Sequence, residues 1–291
     1  MISISIDLVG STSEKNRIAR ICTTPQYARE QFELLAKLFY GLECRFYTSC
    51  LDEGVPFVSM FHMKAIGDEV WFVVEVQDGV DFNAVTVAVL RAAIATASRK
   101  VSFQFFKRAL TAAEAAKDPP LRRLKAHRVN LPVKLYVDLI QDAAETSAIR
   151  LDSFLRDSSV LLKSAGGTVS ITDLLERLGG VALVSVGETK VRVTHRTDYV
   201  GPEVDHFFRC TKMAEAGRVV AGRKLLRELT NPNGKRLRLR RDRRLVVQAG
   251  TESYRFSIKS RLVKRGTLKG ITEPYEVFQV REKKIEQLMN F

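Results

Sequence analysis

The chain begins MISISID, and in these residues Ile2, Ile4 and Ile6 alternate with Ser3, Ser5 and Asp7. A period of two sends successive side chains to opposite faces of a strand, so the chain is expected to start as a half-buried β-strand with Asp7 at its end on the polar face. The next segment, LVGSTSEKN, contains a glycine turn followed by Ser11, Thr12 and Ser13, any of which could cap the start of a helix. Helical patterning then runs to about Tyr40. Residues 56–63 and 70–76 are β-rich and joined by KAIGDE, in which Gly67-Asp68 is a short-range hairpin signal. They are expected to form an antiparallel pair.

Residues 81–97 read as an Ala- and Val-rich helix, and a second alanine-rich stretch over 109–117 stops at Asp118-Pro119-Pro120. After a short basic helix over 121–127, VKLYVDLI at 133–140 reads as a strand. Residues 141–180 look helical and insertion-like, broken at Gly166-Gly167 and Gly179-Gly180. Strands are expected again at 182–186 and 190–195. A turn, a helix with Asp205 and Arg209 four apart, a short strand and another helix follow. The end is β again at 244–249, 254–259 and 275–280. Hairpins mixed with helices predict an α+β fold, a largely antiparallel sheet with helices packed on it, built as one elaborated domain over 1–291.

Charge narrows the partners. The 47 Lys and Arg against 33 Asp and Glu leave a net +14, which favours polyanions: nucleic acid, nucleotides or acidic lipid. The longest nearly apolar stretch, 84–97, is interrupted by Arg91 and falls short of the ~20 residues of a membrane span. No secretory signal pattern opens the chain. Cys22, Cys44, Cys50 and Cys210 lack zinc-site spacing and disulfide density, so a reduced, cytoplasmic protein without a membrane anchor is expected.

Several chemistries drop out. GRVVAGRK at 217–224 has P-loop glycine spacing without the Lys-Ser/Thr ending and reads as a strand-to-helix turn. His62, His127, His195 and His206 lack ligand spacing, and no Ser, His and Asp arrangement stands out. The run KRLRLRRDRR at 235–244, seven basic residues and one acidic, alternates like a solvated edge strand. Its other reading is a nucleic-acid footprint, though without interleaved aromatics. Asp7 and Asp68 could meet if the first strand lies beside the hairpin, and would then hold two Mg²⁺ or Mn²⁺ ions against a triphosphate. Aspartates at a strand end and a turn are also ordinary turn chemistry.

Four segments, in order along the chain, resemble the class III nucleotidyl cyclases. ISIDLVGST resembles their metal-binding strand and turn, and MKAIGDEVWF their hairpin, with a base-reading Lys ahead of Gly-Asp. DYVGPEVDHFFR is similar to their Asp-x-x-Gly-x-x-Val-Asn-x-x-x-Arg segment, and LKGITEPYEVFQV to their closing Lys-Gly and strand. The resemblance implies a ferredoxin-like cyclase domain with an insertion at about 103–180. It makes Asp7, Asp68 and the Leu8 carbonyl ligands of two Mn²⁺ or Mg²⁺ ions. Amides around Val9 to Thr12, including Gly10, Ser11 and Thr12, would cradle the β- and γ-phosphates. Lys64 and Asp198 would read the base, Arg209 would stabilise the transition state and Lys269 would contact the triphosphate. Asp205 stands where the family has Asn, so its role there is open: pairing with Arg209, turning to the ribose, or serving a different substrate pose. The family's sites are shared between protomers, which implies a head-to-tail homodimer.

A Lys donor beside an Asp acceptor suits adenine, uracil or cytosine, so Lys64 and Asp198 do not choose among them. Phe46, Tyr47 or Phe61 could narrow the pocket against purines or simply fill the core. The length, the long insertion and VKLYVDLI resemble the pyrimidine cyclases of bacterial Pycsar antiphage systems. That branch implies UTP as substrate, cyclic UMP as product and a separate cyclic-nucleotide effector, with CTP or ATP the alternative substrates. A basic nucleic-acid-binding module is the reading from another class.

Overall fold

The computed structural model describes residues 1–22, 25–56, 59–66, 69–104, 128–152, 181–186, 189–231, 233–237, 239, 243–263 and 275–282. They form two units, 1–141 together with 206–291, and 142–205. The fold is α+β with a mainly antiparallel sheet and packed helices, as expected.

In the first unit the chain runs β1 (Ile2–Leu8), α1 (Ser11–Ile21), α2 (Pro25–Asp52), β2 (Met60–Ile66), β3 (Glu69–Val74), α3 (Phe82–Ala97), β4 (Val101–Gln104), β5 (Arg128–Leu131) and β6 (Val133–Leu139). The second unit, 142–205, contributes β7 (Ala144–Asp152), β8 (Val181–Val186) and β9 (Thr189–Val200). Helix α4 (Pro202–Cys210) begins in that unit and ends in the first. The first unit resumes with β10 (Val219–Gly222), α5 (Arg223–Glu228), β11 (Arg243–Ala249), β12 (Glu252–Val263) and β13 (Tyr275–Glu282). Among the described residues, eight strands form one sheet in the order β11-β12-β13-β10-β6-β1-β3-β2, in which only the β10–β6 neighbours run parallel.

The opening alternation is what divides this sheet into two faces. Ile2, Ile4, Ile6 and Leu8 are buried in the main core with Val133, Leu135, Val137 and Leu139 of β6 and Val70, Phe72 and Val74 of β3. Helix α3 is apolar on nearly every side, and it packs against β6, β10, β11, β13 and α2. The other face carries Ser3, Ser5, Trp71, Val73, Tyr136 and Asp138, all buried; there Phe207 of α4 packs on Tyr136 and Phe208 on Trp71, at ring separations of 5.3 and 5.0 Å. Cys22, Cys50 and Cys210 are buried cysteines outside any disulfide.

Asp81 caps α3, accepting from the Asn83 amide at 2.9 Å, while its other oxygen accepts from the Gly250 amide at 2.9 Å. The buried Asn83 side chain then ties α3 to the β11 end. Its Nδ2 donates to Thr230 Oγ1 and the Gln248 carbonyl, each at 2.7 Å, and its Oδ1 accepts from the Thr230 amide at 3.2 Å. Replacing Asn83 with Ala is expected to cost about 2–3 kcal/mol, since several buried partners lose their bond and each orphaned group carries a desolvation penalty. A urea denaturation curve with a lowered midpoint and an unchanged slope would show it.

Two expectations are corrected. Helix does not end near Tyr40: α2 continues to Asp52. Nor is 141–180 helical where it is described, since Ala144–Asp152 is a strand paired antiparallel with β9, which also pairs with β8. The segment AETSAIRLD holds Thr, Ser and Ile, and a long cross-strand partner decides its state over the local pull of Ala and Glu. Residues 105–127 and 153–180, most of the anticipated insertion, lie outside the described residues. Among the described residues no helix is long and apolar enough to cross a membrane.

Candidate functional site

The polar end of β1 is where sequence and structure converge. Asp7 is the last outward-facing residue of an interior strand. Across it lie Glu69 of β3 on one side and Lys134 of β6 on the other. Lys134 Nζ stands 2.9 Å from Asp7 Oδ2, with both side chains about one-fifth to one-quarter exposed. The second oxygen, Oδ1, is buried and has no hydrogen-bond partner among the described residues. A buried acceptor without a donor is costly unless something electropositive meets it, so the donor set fits a hard cation bound through oxygen. Among the described residues no three His, Cys, Asp or Glu side chains converge as a metal site, so further ligands would come from elsewhere.

Glu69 completes the row. Ser5 donates a hydrogen bond to its carboxylate. Burial pushes the Glu69 carboxyl above the usual carboxylate range; hydrogen bonds from Ser5 and Thr211 hold it back, and the Asp7 charge adds to the rise. Among the described residues the β1 end is thus an acidic pair answered by one lysine.

Immediately after Leu8, which is buried, the chain turns at Gly10 and enters α1. Gly10 holds φ at 90°, a left-handed conformation that side-chain-bearing residues rarely adopt, and serves as the helix N-cap without a side-chain cap bond. The capping expected of Ser11, Thr12 or Ser13 is therefore not what is found: these residues lie inside the helix, and Gly10 occupies the cap position. Ser11 is buried and Thr12 exposed in the first turn, where helix amides face outward and suit an anion. The Val9 amide does not join them, because it donates to the Pro132 carbonyl at 2.9 Å.

The other candidates are distributed as follows. Lys64 lies on β2 opposite Trp71, just past a register irregularity after His62. Ile66 and Glu69 close the β2–β3 ladder, and Gly67 and Asp68 between them lie outside the described residues, as does Lys269. Arg209 is half-buried in the last turn of α4, next to Phe208 and Cys210, which fix that turn to the sheet. In the second unit, Asp198 is on β9 opposite Thr146, and Asp205 is exposed in the first turn of α4. Phe46 is core, packed on Phe72 at 5.1 Å, the second of its two expected readings; Tyr47 is half-buried against the same cluster, and the Phe61 side chain lies outside the described residues.

Sequence reasoning missed three residues. Lys134 and Asp138 share the outward face of VKLYVDLI with Tyr136, and the alternation of that strand was the available signal. Glu69 was hidden behind Asp68. Asp138 is almost fully buried. It accepts from the Leu139 amide at 2.9 Å, the Leu225 amide at 3.2 Å, Tyr136 Oη at 3.0 Å and Tyr275 Oη. Burial raises its carboxyl above the usual range, and these four donors oppose the rise. Tyr275 in turn meets the His206 ring at 4.3 Å, and His206 Nε2 lies 3.4 Å from Cys210 Sγ. The network holds the end of α4, α5 and β13 together beneath Arg209's helix.

No family model matches the sequence, and neither does any curated protein. Among solved structures the chain is similar to the adenylyl cyclase CyaB from P. aeruginosa, at 12% identity over 98% of this chain and 94% of that one, with a TM-score of 0.46. It is similar to the guanylate cyclase domain of RhGC from Catenaria anguillulae in complex with GTP, at 9% identity over 97% and 96%, TM-score 0.44. A third likeness is to the guanylyl cyclase Cya2, at 9% identity over 99% and 94%, TM-score 0.43.

Proposed function

We propose that this chain is a nucleotidyl cyclase that converts UTP to 3′,5′-cyclic UMP and pyrophosphate. The observation that carries the reading is Asp7. It stands at the exit of an interior strand with one buried oxygen uncommitted among the described residues, a lysine on the other, and a glycine-capped helix start directly behind it. The four-segment resemblance supplies the remaining residues.

In the reaction the ribose 3′-oxygen attacks the α-phosphorus in line, the bond to the pyrophosphate oxygen breaks, and the 3′-hydroxyl proton is lost. Two Mn²⁺ or Mg²⁺ ions, when bound, lower the pKa of that hydroxyl and neutralise the leaving pyrophosphate. Asp7, Asp68 and the Leu8 carbonyl are the residues that would hold them. Gly10, Ser11 and Thr12 orient the terminal phosphates at the start of α1. Arg209 meets charge developing on the α-phosphoryl oxygens, Lys269 contacts the triphosphate, and Lys64 with Asp198 reads the base. Asp205, exposed one turn before Arg209, has the ribose hydroxyl or Arg209 itself as its proposed partner. The single domain of 1–291 works as a homodimer that shares its sites, and its product acts on a separate effector in antiphage defence.

Purified protein incubated with Mn²⁺ and each of the four ribonucleoside triphosphates in turn is expected to yield cyclic UMP from UTP as the major product by mass spectrometry. Cyclic CMP or cyclic AMP as the major product would reassign the base. No cyclic nucleotide from any of the four would overturn the cyclase reading.

A further inference from the structure

We infer that Lys134 is a built-in competitor for the metal position at Asp7, so that the site loads only above a metal concentration that the lysine sets. The inference rests on the cyclase reading above.

Lys134 is placed by register. It lies directly across from Asp7 on β6, and β1 and β6 are neighbouring interior strands of the eight-stranded sheet, so neither Cα moves away without breaking ladder pairs on both sides. Its Nζ reaches Asp7 Oδ2 at 2.9 Å, within the range of a charge-assisted hydrogen bond. That bond leaves Oδ1 buried with no hydrogen-bond partner among the described residues, so the ammonium answers half of the carboxylate. A lysine is a point charge on a flexible stem and satisfies one oxygen. A divalent ion carries twice the charge and takes either carboxylate mode.

The two cations compete for Oδ2, and a site for two ions needs both oxygens of Asp7. A metal ion on Oδ2 would sit where Nζ now sits, and one on Oδ1 would face a like charge across a single carboxylate. Glu69, the other anion in the row, already accepts a hydrogen bond from Ser5. Metal entry at Oδ2 therefore requires the lysine to swing toward solvent, and the apparent affinity is scaled down by the fraction of molecules in which it has done so. A partly exposed pair worth about 1 kcal/mol is closed in about five molecules of six and lowers the apparent affinity about sixfold.

The test is Mn²⁺ binding to the full chain without nucleotide, followed by the loss of the free-ion electron paramagnetic resonance signal. Lys134→Met is expected to tighten binding about sixfold. Lys134→Arg, which keeps the charge, is expected to stay within about threefold of the parent. Asp7→Asn is expected to abolish binding in the parent and in the Met variant. Thermal melting of each protein confirms that it is folded, and Lys134→Gln replaces the Met variant should that one fail to fold. Binding that depends on Asp7 but is unchanged or weakened in Lys134→Met overturns the competition and leaves the metal site standing. Mn²⁺ binding that is indifferent to Asp7 in every variant overturns both.

Discussion

Asp7→Asn is expected to lower turnover by about a thousandfold while leaving the protein folded. The substitution keeps the size and shape of the side chain, and the β1 ladder to β3 and β6 is made by backbone groups it does not touch. What is lost structurally is one partly exposed ion pair to Lys134, worth about 1 kcal/mol or less. A neutral amide, by contrast, presents a single weaker acceptor to a divalent ion and no charge. On the reading proposed above, the variant would lose the metal-dependent part of the barrier reduction, an effect of about 4 kcal/mol, which converts to the thousandfold figure. The measurement is cyclic nucleotide formation at saturating Mn²⁺ beside a melting curve of the same sample. Turnover within tenfold of the parent, with an unaltered melting temperature, would remove Asp7 from the chemistry.

The largest effect on folding is expected at Gly222→Ala. A Cβ built on Gly222 would lie 1.9 Å from Asp138 Oδ2, 2.0 Å from Cγ and 2.3 Å from Oδ1. No flexible end can yield there, because the carboxylate is held by two backbone amides and two tyrosine hydroxyls, and Gly222 itself is paired with Val277 of β13 at the end of β10. Something in that set must break, leaving a buried carboxylate short of donors or a strand displaced. Overpacking of this kind costs about 3 kcal/mol or more, a large share of the ~5–15 kcal/mol that holds a typical domain. A steep fall in soluble yield and in the denaturation midpoint is the expected outcome. Combining it with Asp138→Ala should cost less than the sum of the two single changes, since the clash disappears with the carboxylate. A Gly222→Ala protein with the parent's midpoint would contradict the close approach.

Local pattern carried a good part of this fold. The alternation of MISISID, the pairing of the segments around KAIGDE, the 82–97 helix and the three closing strands are all visible in short windows, because the periods of strands and helices are written in neighbouring residues. The 144–152 strand was not legible, because its partner is β9, some forty residues further on, and pairing at that distance overrides propensity. Phe46 could not be told from a pocket wall until α2 was seen to lay it against Phe72.

The candidate site divides along the same line. Asp7 at a strand end before a glycine turn is a statement about adjacent residues, and the sequence alone determined it. That Glu69 and Lys134 flank it, and that Lys134 answers one of its two oxygens, depends on β3 and β6 lining up with β1 in a definite register. Asp138 became a buried hub only because β6 brings it against Gly222 and the start of α5. The net charge of +14 behaves likewise: Arg244, Arg255, Lys259, Arg261 and Arg281 are exposed on β11, β12 and β13, on the face away from Phe256, Ile258 and Val280. Composition counts charges. Their placement is settled by the register of strands that are distant in the chain, and no short window of sequence contains both partners.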